Sequence, residues 1–295
     1  MESSEVIKNI VREKYSEIAT NDKVANATSC CGATSSGTYT IMSDSYADLE
    51  GYNPDADLGL GCGLPTQFAK IQKGHTVLDL GSGAGNDCFV ARAEAGETGK
   101  VIGVDFTPKM VQLARQNAEK RGLNNVEFRQ GDIEDLPVSD DSVDVVVSNC
   151  VLNLVPDKAK VFQEIKRVLR PGGHFSISDV VLRGDLPQKL QDAAEMYAGC
   201  VAGAMQMDEY LDTIQAAGFE HMVVQKQKPI LVPDDILLDY LSPEELQAFV
   251  DSKTGIFSIT VYAEKAGGEK SHRAAKPKVN LAELATAGCC GPGCC

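Results

Sequence analysis

Thr76-Val77-Leu78-Asp79-Leu80-Gly81-Ser82-Gly83-Ala84-Gly85 is the stretch whose reading decides the fold. Its first half is a short apolar, partly β-branched run, and its second half is glycine and other small residues leading into the helical pattern NDCFVARAEA. A strand that breaks into glycines and re-forms at once as a helix is the place where an open α/β sheet binds its ligand. Glycine lets such a turn close and lets a ligand approach the backbone. Working outward, VIGVDF (101–106), NVEFRQ (125–130) and SVDVVVSN (142–149) are further strands, with helices expected near 86–95, 108–121 and 157–169. This alternation predicts an α/β fold of Rossmann-like type with a mostly parallel sheet and crossover helices.

Beyond that repeat, Pro171-Gly172-Gly173 is expected to end the third helix and HFSISDVV (174–181) to make a fifth strand. Helical patterns near 187–199 and 207–217 follow, then strands near 219–228 and 254–264 around a helix close to 242–251, so that the sheet closes with a reversed edge strand. Upstream, Val6, Ile10, Val11, Tyr15 and Ile18 recur at helical spacing and predict an amphipathic helix over 3–20. The organisation expected is an amino-terminal helix and Cys-containing lid (1–70), a cofactor-binding domain (71–180) and a substrate-binding, sheet-completing region (181–264). A basic linker (265–288) and a Cys-rich tail (289–295) follow.

The glycine spacing is G-x-G-x-G with an acid two positions before it, not the G-x-G-x-x-G in which helix amides meet a pyrophosphate. It favours S-adenosyl-L-methionine over a nicotinamide dinucleotide. Asp105 ends the second strand, where a carboxylate can accept both ribose hydroxyls, and Asp132 follows the third, placed to meet an adenine amino group. Either acid alone reads equally well as a loop or helix-capping residue. Acids at successive strand ends together with the glycine turn make cofactor binding the better reading.

With 295 residues, of which 43% are hydrophobic, the chain can build one large α/β domain with additions and needs no disulfides for stability. A formal charge of −14 argues against a nucleic-acid partner, because phosphate backbones are bound mainly by Lys and Arg. The first twenty residues carry charge throughout and no run approaches the ~20 apolar residues of a membrane span. A cytoplasmic protein with no membrane partner is expected, with a monomer the favoured state. Residues 265–288 hold five basic residues against two acidic ones, a net +3 that leaves −17 on the remainder.

Ten cysteines in such a chain point to ligand or catalytic use, since a reducing compartment keeps thiols free of disulfides. Cys150 follows the fourth strand in Ser148-Asn149-Cys150, beside the cofactor's expected reactive end. Cys62 lies in the turn LGLGCGLP, and Cys200 ends the helical stretch EMYAGC. Spacings of 88 and 50 residues do not establish that the three converge, and a single cysteine is more often a small buried hydrophobe. Cys88, in the first turn of the helix after the glycine loop, keeps that plainer reading. A zinc site lacks support: the body has no CxxC pair, and neither His75 nor His174 has a partner at ligand spacing.

The glycine-loop region, over about residues 70–180, resembles the class I S-adenosylmethionine methyltransferases. That resemblance implies that Asp79, Gly81, Ser82, Gly83 and Gly85 embrace the methionine part of the cofactor. It places Asp105 and Phe106 at the ribose and adenine edge, Asp132 and Ile133 at the adenine, and Asn149 in the same site. More specifically, SDSYADLEGYNPDADLGLGCGLP, DLGSGAGNDCFVA, SNCVLNL and YAGCVAGA, in this order after Cys30-Cys31, resemble the arsenite S-adenosylmethionine methyltransferases over roughly residues 10–264. The implied substrate is arsenite or methylarsenite, held by the thiolates of Cys62, Cys150 and Cys200. Cys30 or Cys31 would pair with Cys62 in a redox cycle, and thioredoxin or glutathione would restore the thiols. The alternatives are a methyltransferase for a small organic acceptor, which gives no reason for these thiols, and a non-enzymatic soft-metal buffer, which gives no reason for Asp105 and Asp132.

The tail Cys289-Cys290-Gly291-Pro292-Gly293-Cys294-Cys295 stands apart from that resemblance. Adjacent cysteines make poor disulfides, their Cα atoms lying about 3.8 Å apart where disulfides want roughly 4.4–6.8 Å. Cys289, Cys290, Cys294 and Cys295 are therefore expected to capture a soft ion, with Gly-Pro-Gly bending the two pairs toward each other.

Overall fold

The structure is a computed structural model that describes residues 4–20, 44–185, 203–230, 238, 241–252 and 254–267. Cys30, Cys31, the helix expected near 187–199, Cys200, and the four tail cysteines with the linker from 268 onward lie outside the described residues. In chain order the elements are α1 (Ser4–Ile18), α2 (Pro65–Phe68), β1 (Thr76–Leu80), α3 (Asn86–Ala95), β2 (Lys100–Asp105), α4 (Pro108–Lys120), β3 (Val126–Gln130) and β4 (Val143–Asn149). A single 3-10 turn (Leu152–Leu154) leads to α5 (Lys158–Val168), β5 (Leu169–Arg183), α6 (Met207–Ala216), β6 (Phe219–Ile230), α7 (Pro243–Asp251) and β7 (Gly255–Lys265).

The strands form one seven-stranded sheet in the order β3-β2-β1-β4-β5-β7-β6. The first five are parallel neighbours, as the alternating pattern requires. β7 runs antiparallel to both β5 and β6, so the reversed strand lies one place inside the margin and β6 forms the margin itself. β5 runs through position 180 without a break, and β7 and β6 extend the same sheet.

Both faces are covered, which is why the central strands read as nearly continuous Val, Ile and Leu. On one face Ala91 of α3 and Val111 and Ala114 of α4 pack on Val77, Val101, Val145 and Val147. On the other, α5 and α6 pack on Leu78, Val104, Val146 and Phe175, with Phe162 between Phe175 and Tyr210 at ring-centroid distances of 5.9 and 5.8 Å. The helices start where their sequences say they should. Pro108 opens α4, Asp157 caps α5 by accepting the Lys160 N–H at 3.0 Å, and Ser242 with Glu245 forms a capping box on α7.

One local expectation is corrected. The helix expected to reach 169 stops at Val168, and Leu169 already has extended backbone (φ −66°, ψ 136°) and pairs with Val143. His174 pairs with Val145, so Pro171-Gly172-Gly173 forms a bulge inside β5, with Gly172 at φ +81°, and does not end the helix. Burial of Leu169 draws the chain into the sheet before the Pro-Gly-Gly is reached.

Candidate active site

At the carboxyl ends of β1, β2 and β4 lies a cleft of about 1110 Å³, open solvent included. Its floor is the glycine loop. Gly81 sits at φ +65°, and a Cβ there would lie 2.4 Å from Val151, so the turn admits only glycine. Gly83, at φ +51°, has no atom within 4 Å of where a Cβ would be, which leaves bare backbone toward the cleft. Gly85 does not line the cleft; it caps α3 from the left-handed region.

Around this floor stand carboxylates. Asp105 accepts the Gly83 N–H at 2.9 Å and the Thr107 N–H at 2.8 Å, which fixes its orientation, while burial raises its pKa above the usual range. Asp79 is buried and accepts the Cys88 thiol at 3.2 Å; burial, then the neighbouring Asp87, pushes its pKa well up. Asp87, in the first turn of α3, is raised to about 6 by burial, against the pull of hydrogen bonds from Tyr46 and Asn149. Acids crowded together in this way favour a cation among them. Ser82 Oγ is buried with no partner among the described residues.

The far wall comes from the amino-terminal part of the chain. Val11 and Tyr15 of α1 and residues 56–61 line it, and Lys8 spans from α1 to Asp132 at 2.6 Å and to Glu134. Burial pulls the Lys8 pKa down, but its hydrogen bonds and charge contacts with both acids outweigh that and leave it raised. Arg12 stacks over the Phe106 ring at 4.2 Å. Asp132, expected at the adenine, thus lines the cleft with one oxygen held by Lys8 and the other accepting the Glu134 N–H at 2.9 Å. Phe106, Ile133 and Asn149 line the same cleft.

Cys150 lines the cleft as well, at φ +61° with its N–H donated to the Ser178 carbonyl at 2.8 Å. Cys62 shares a buried cluster with it, together with Val180, Ile230 and Ile256. The two cysteines, 88 residues apart in the chain, are thereby brought into one buried apolar cluster at the edge of the cleft, which Cys150 lines. Cys88 packs elsewhere, with Val77, Ala84 and Phe89, as its plainer reading expected. His174 meets the Ala69 carbonyl at 2.6 Å, and among the described residues no group of three or more His, Cys, Asp or Glu could hold a metal ion.

Four residues at this site escape sequence reasoning: Tyr46, Asp57, Asp87 and Lys8. Asp87 carried a signal, an acid two residues beyond the last loop glycine, but an acid in the first turn of a helix ordinarily just answers the helix dipole.

These residues fit S-adenosyl-L-methionine. The carboxylates could meet its cationic centres, Asp105 its ribose diol, and the bare Gly83 backbone and the Ser82 Oγ, unpartnered among the described residues, its methionine part. A methyltransferase-domain family matches residues 71–218, half of the chain. Fold and cleft together define an enzyme, an S-adenosyl-L-methionine-dependent methyltransferase of class I architecture.

The relatives narrow the class. An arsenite methyltransferase of Halobacterium salinarum is 43% identical over 276 residues, 88% of this chain and 67% of that protein. One from Aquipseudomonas alcaligenes is 34% identical over 240 residues, 78% of this chain and 67% of its own length. The crystal structure of an arsenic(III) S-adenosylmethionine methyltransferase from Chlamydomonas reinhardtii superposes with a TM-score of 0.61 at 36% identity, covering 72% of this chain and 69% of that one. The chain belongs to the arsenite methyltransferase family. Among the described residues no helix is long and apolar enough to cross a membrane.

Proposed function

We propose that this protein methylates trivalent arsenic, serving arsenic detoxification, with the arsenic held by the thiolates of Cys62, Cys150 and Cys200. The observation that carries the reading is the meeting of Cys62 and Cys150 in one buried apolar cluster beside the cofactor cleft. Trivalent arsenic is soft and takes three sulfur ligands, in keeping with the preference of soft ions for cysteine. Arsenite arrives neutral, and each thiol proton leaves with an arsenite hydroxyl as water. Cys200 joins the set through the family resemblance of YAGCVAGA.

On this reading Asp79, Gly81, Ser82, Gly83, Asp105, Phe106, Asp132 and Ile133 hold the cofactor, with Gly85 shaping the loop and Asn149 at its edge. Bound there, S-adenosyl-L-methionine supplies an electrophilic methyl group on a sulfonium. The chain's own work is orientation and exclusion of water. The arsenic lone pair is the nucleophile, so no side chain need remove a proton, and holding two reactants in attack geometry can contribute about 7–11 kcal/mol. Once arsenic gains a methyl cation equivalent it is formally pentavalent. Closure of Cys62 with Cys30 or Cys31 as a disulfide returns two electrons to it, and a thiol reductant, thioredoxin or glutathione, reopens the bond.

Residues 1–70 are then the lid, 71–180 the cofactor-binding unit, 181–264 the region that completes the sheet and carries Cys200, and 265–288 a basic linker. The tail at 289–295 is a second thiol set that captures arsenite and delivers it. The test is methyl transfer from labelled cofactor to arsenite with reductant present, arsenic products resolved by chromatography. Methylated arsenic from the wild type and none from Cys150→Ser or Cys200→Ser is expected; normal turnover by either variant removes that residue from the ligand set.

A further inference from the structure

Asn149 occupies the last position of β4, and its single amide reaches two subsites. Its Oδ1 accepts the N–H of Cys62 at 3.0 Å and of Gly63 at 3.3 Å. Its Nδ2 faces three acceptors: the Gly63 carbonyl at 2.8 Å, the Tyr46 hydroxyl at 2.5 Å and Asp87 Oδ2 at 3.3 Å. Tyr46 is divided in the same way, its hydroxyl lying 3.0 and 2.8 Å from the two Asp87 oxygens and 3.3 Å from the Gly63 carbonyl.

The rest of the Cys62 turn is fixed from the opposite side. Ser258 of β7 donates to the Cys62 carbonyl at 2.6 Å, and a Cβ on Gly63 would lie 2.6 Å from Ser178 Oγ of β5. A Cβ on Gly61 would lie 2.6 Å from Asn149 Nδ2, so the amide packs directly on the turn. Asn149 and Tyr46 therefore link the turn to the cofactor side.

We propose that Asn149 is a positioning residue that couples the two subsites, so that a cation in the cofactor cleft tightens arsenic binding at Cys62 and arsenic tightens cofactor binding in return. The inference rests on the function proposed above. Its physics is a donor count. Asn149 Nδ2 and the Tyr46 hydroxyl offer three protons between them, and these are shared by the Asp87 carboxylate, the Gly63 carbonyl and the Tyr46 oxygen. A cofactor cation beside Asp87 takes up much of that carboxylate's demand and leaves the donors to Gly63. The turn that presents Cys62 is then held in one geometry before arsenic arrives, and the ordering it would otherwise lose on binding is already complete. Linkage makes the effect reciprocal.

The experiment is calorimetric titration of arsenite into the full chain, reduced, with Cys289→Ser, Cys290→Ser, Cys294→Ser and Cys295→Ser so that only the body binds. It is run with and without sinefungin, an amine analogue of the cofactor that keeps the positive charge and transfers nothing. A fall in the arsenite Kd of at least about fivefold with the analogue is expected. Added to that background, Asn149→Leu should bring the ratio close to one, and Tyr46→Phe, which removes one donor together with the acceptor on the same oxygen and leaves Asn149 in place, should lower it part of the way. Amide exchange at Cys62 and Gly63 should slow on adding the analogue to the parent chain and stay unchanged in Asn149→Leu, a readout that a merely structural tie would not move. A ratio of one in the parent chain, with arsenite binding still lost on Cys62→Ser, overturns the coupling and leaves the proposed function standing. A full parent ratio in both Asn149→Leu and Tyr46→Phe also overturns it. Arsenite binding indifferent to Cys62→Ser and Cys150→Ser would bring down the functional reading and the coupling together.

Discussion

Cofactor affinity should fall as the solution is made acidic, with Asp87 the main cause near pH 6. Its carboxyl is raised to about 6 from an ordinary 3.8, by burial first, with the nearby Asp57 adding to the effect. A cationic cofactor favours the ionised form and draws the pKa back down. If the bound value is about 4, the apparent Kd at pH 5 is about tenfold higher than at pH 7.5, equivalent to about 1.4 kcal/mol, and about 0.8 proton leaves on binding. Asp79, also raised, acts in the same direction and steepens the slope. For stability the sign is opposite: the cofactor-free fold binds the Asp87 proton more tightly than the unfolded chain, so that contribution is fully present below about 3.8 and is lost as pH rises through about 6. Titration calorimetry of S-adenosyl-L-methionine from pH 5 to 8 without arsenite, in two buffers of different ionisation enthalpy, reads both affinity and proton count. Asp87→Asn should bind more weakly at pH 7.5 and show a flatter profile. Equal affinities at pH 5 and 7.5 in the wild type, or an unchanged slope in Asp87→Asn, would refute the reasoning.

Three further outcomes are expected. Gly81→Ala forces a side chain into the left-handed region and its Cβ to within 2.4 Å of Val151; thermal denaturation should show a loss of at least about 2 kcal/mol, with weaker cofactor binding. Lys8→Met leaves the buried Glu134 and its neighbour Asp132 without their shared cation; a loss of about 1–3 kcal/mol and faster proteolysis within α1 should follow, and an unaltered cleavage pattern would deny α1 its latch. Removing residues 289–295 should raise the arsenite concentration needed for half-maximal rate and spare the maximal rate; identical kinetics at limiting arsenite would dismiss the capture role of the tail.

The parallel half of the sheet was legible because its signals are local: apolar runs of strand length, a glycine turn, and acids at strand ends. The order of the last strands was not, since inserting β7 between β5 and β6 is a tertiary choice that no residue of SITVYAE announces. Pro171-Gly172-Gly173 misled for a related reason: the same residues suit a helix end and a strand bulge, and burial of Leu169 decides between them. At the site, the residues on the first two strand ends were readable from position. Lys8, Tyr46 and Asp57 come from segments that carry no cofactor signature and reach the cleft only when the amino-terminal part folds over it. The nearness of Cys62 to Cys150 was invisible to spacing and emerged from resemblance alone before the fold brought them into one buried cluster.

The three described cysteines show why a buried thiol near a cofactor is not by itself a ligand. Cys88 lies under the glycine loop, donates to Asp79 at 3.2 Å, and is packed among Val77, Ala84 and Phe89. Burial, then the charge of Asp79 beside it, pushes its thiol pKa well up. Cys62 and Cys150 share a buried apolar cluster with Val180, Ile230 and Ile256, and Cys150 also borders the cleft. On the proposed function, apolar walls would exclude water from a neutral acceptor and acidic walls would hold a cationic donor. Asn149, whose amide spans from Asp87 to the Cys62 turn, marks the line between them.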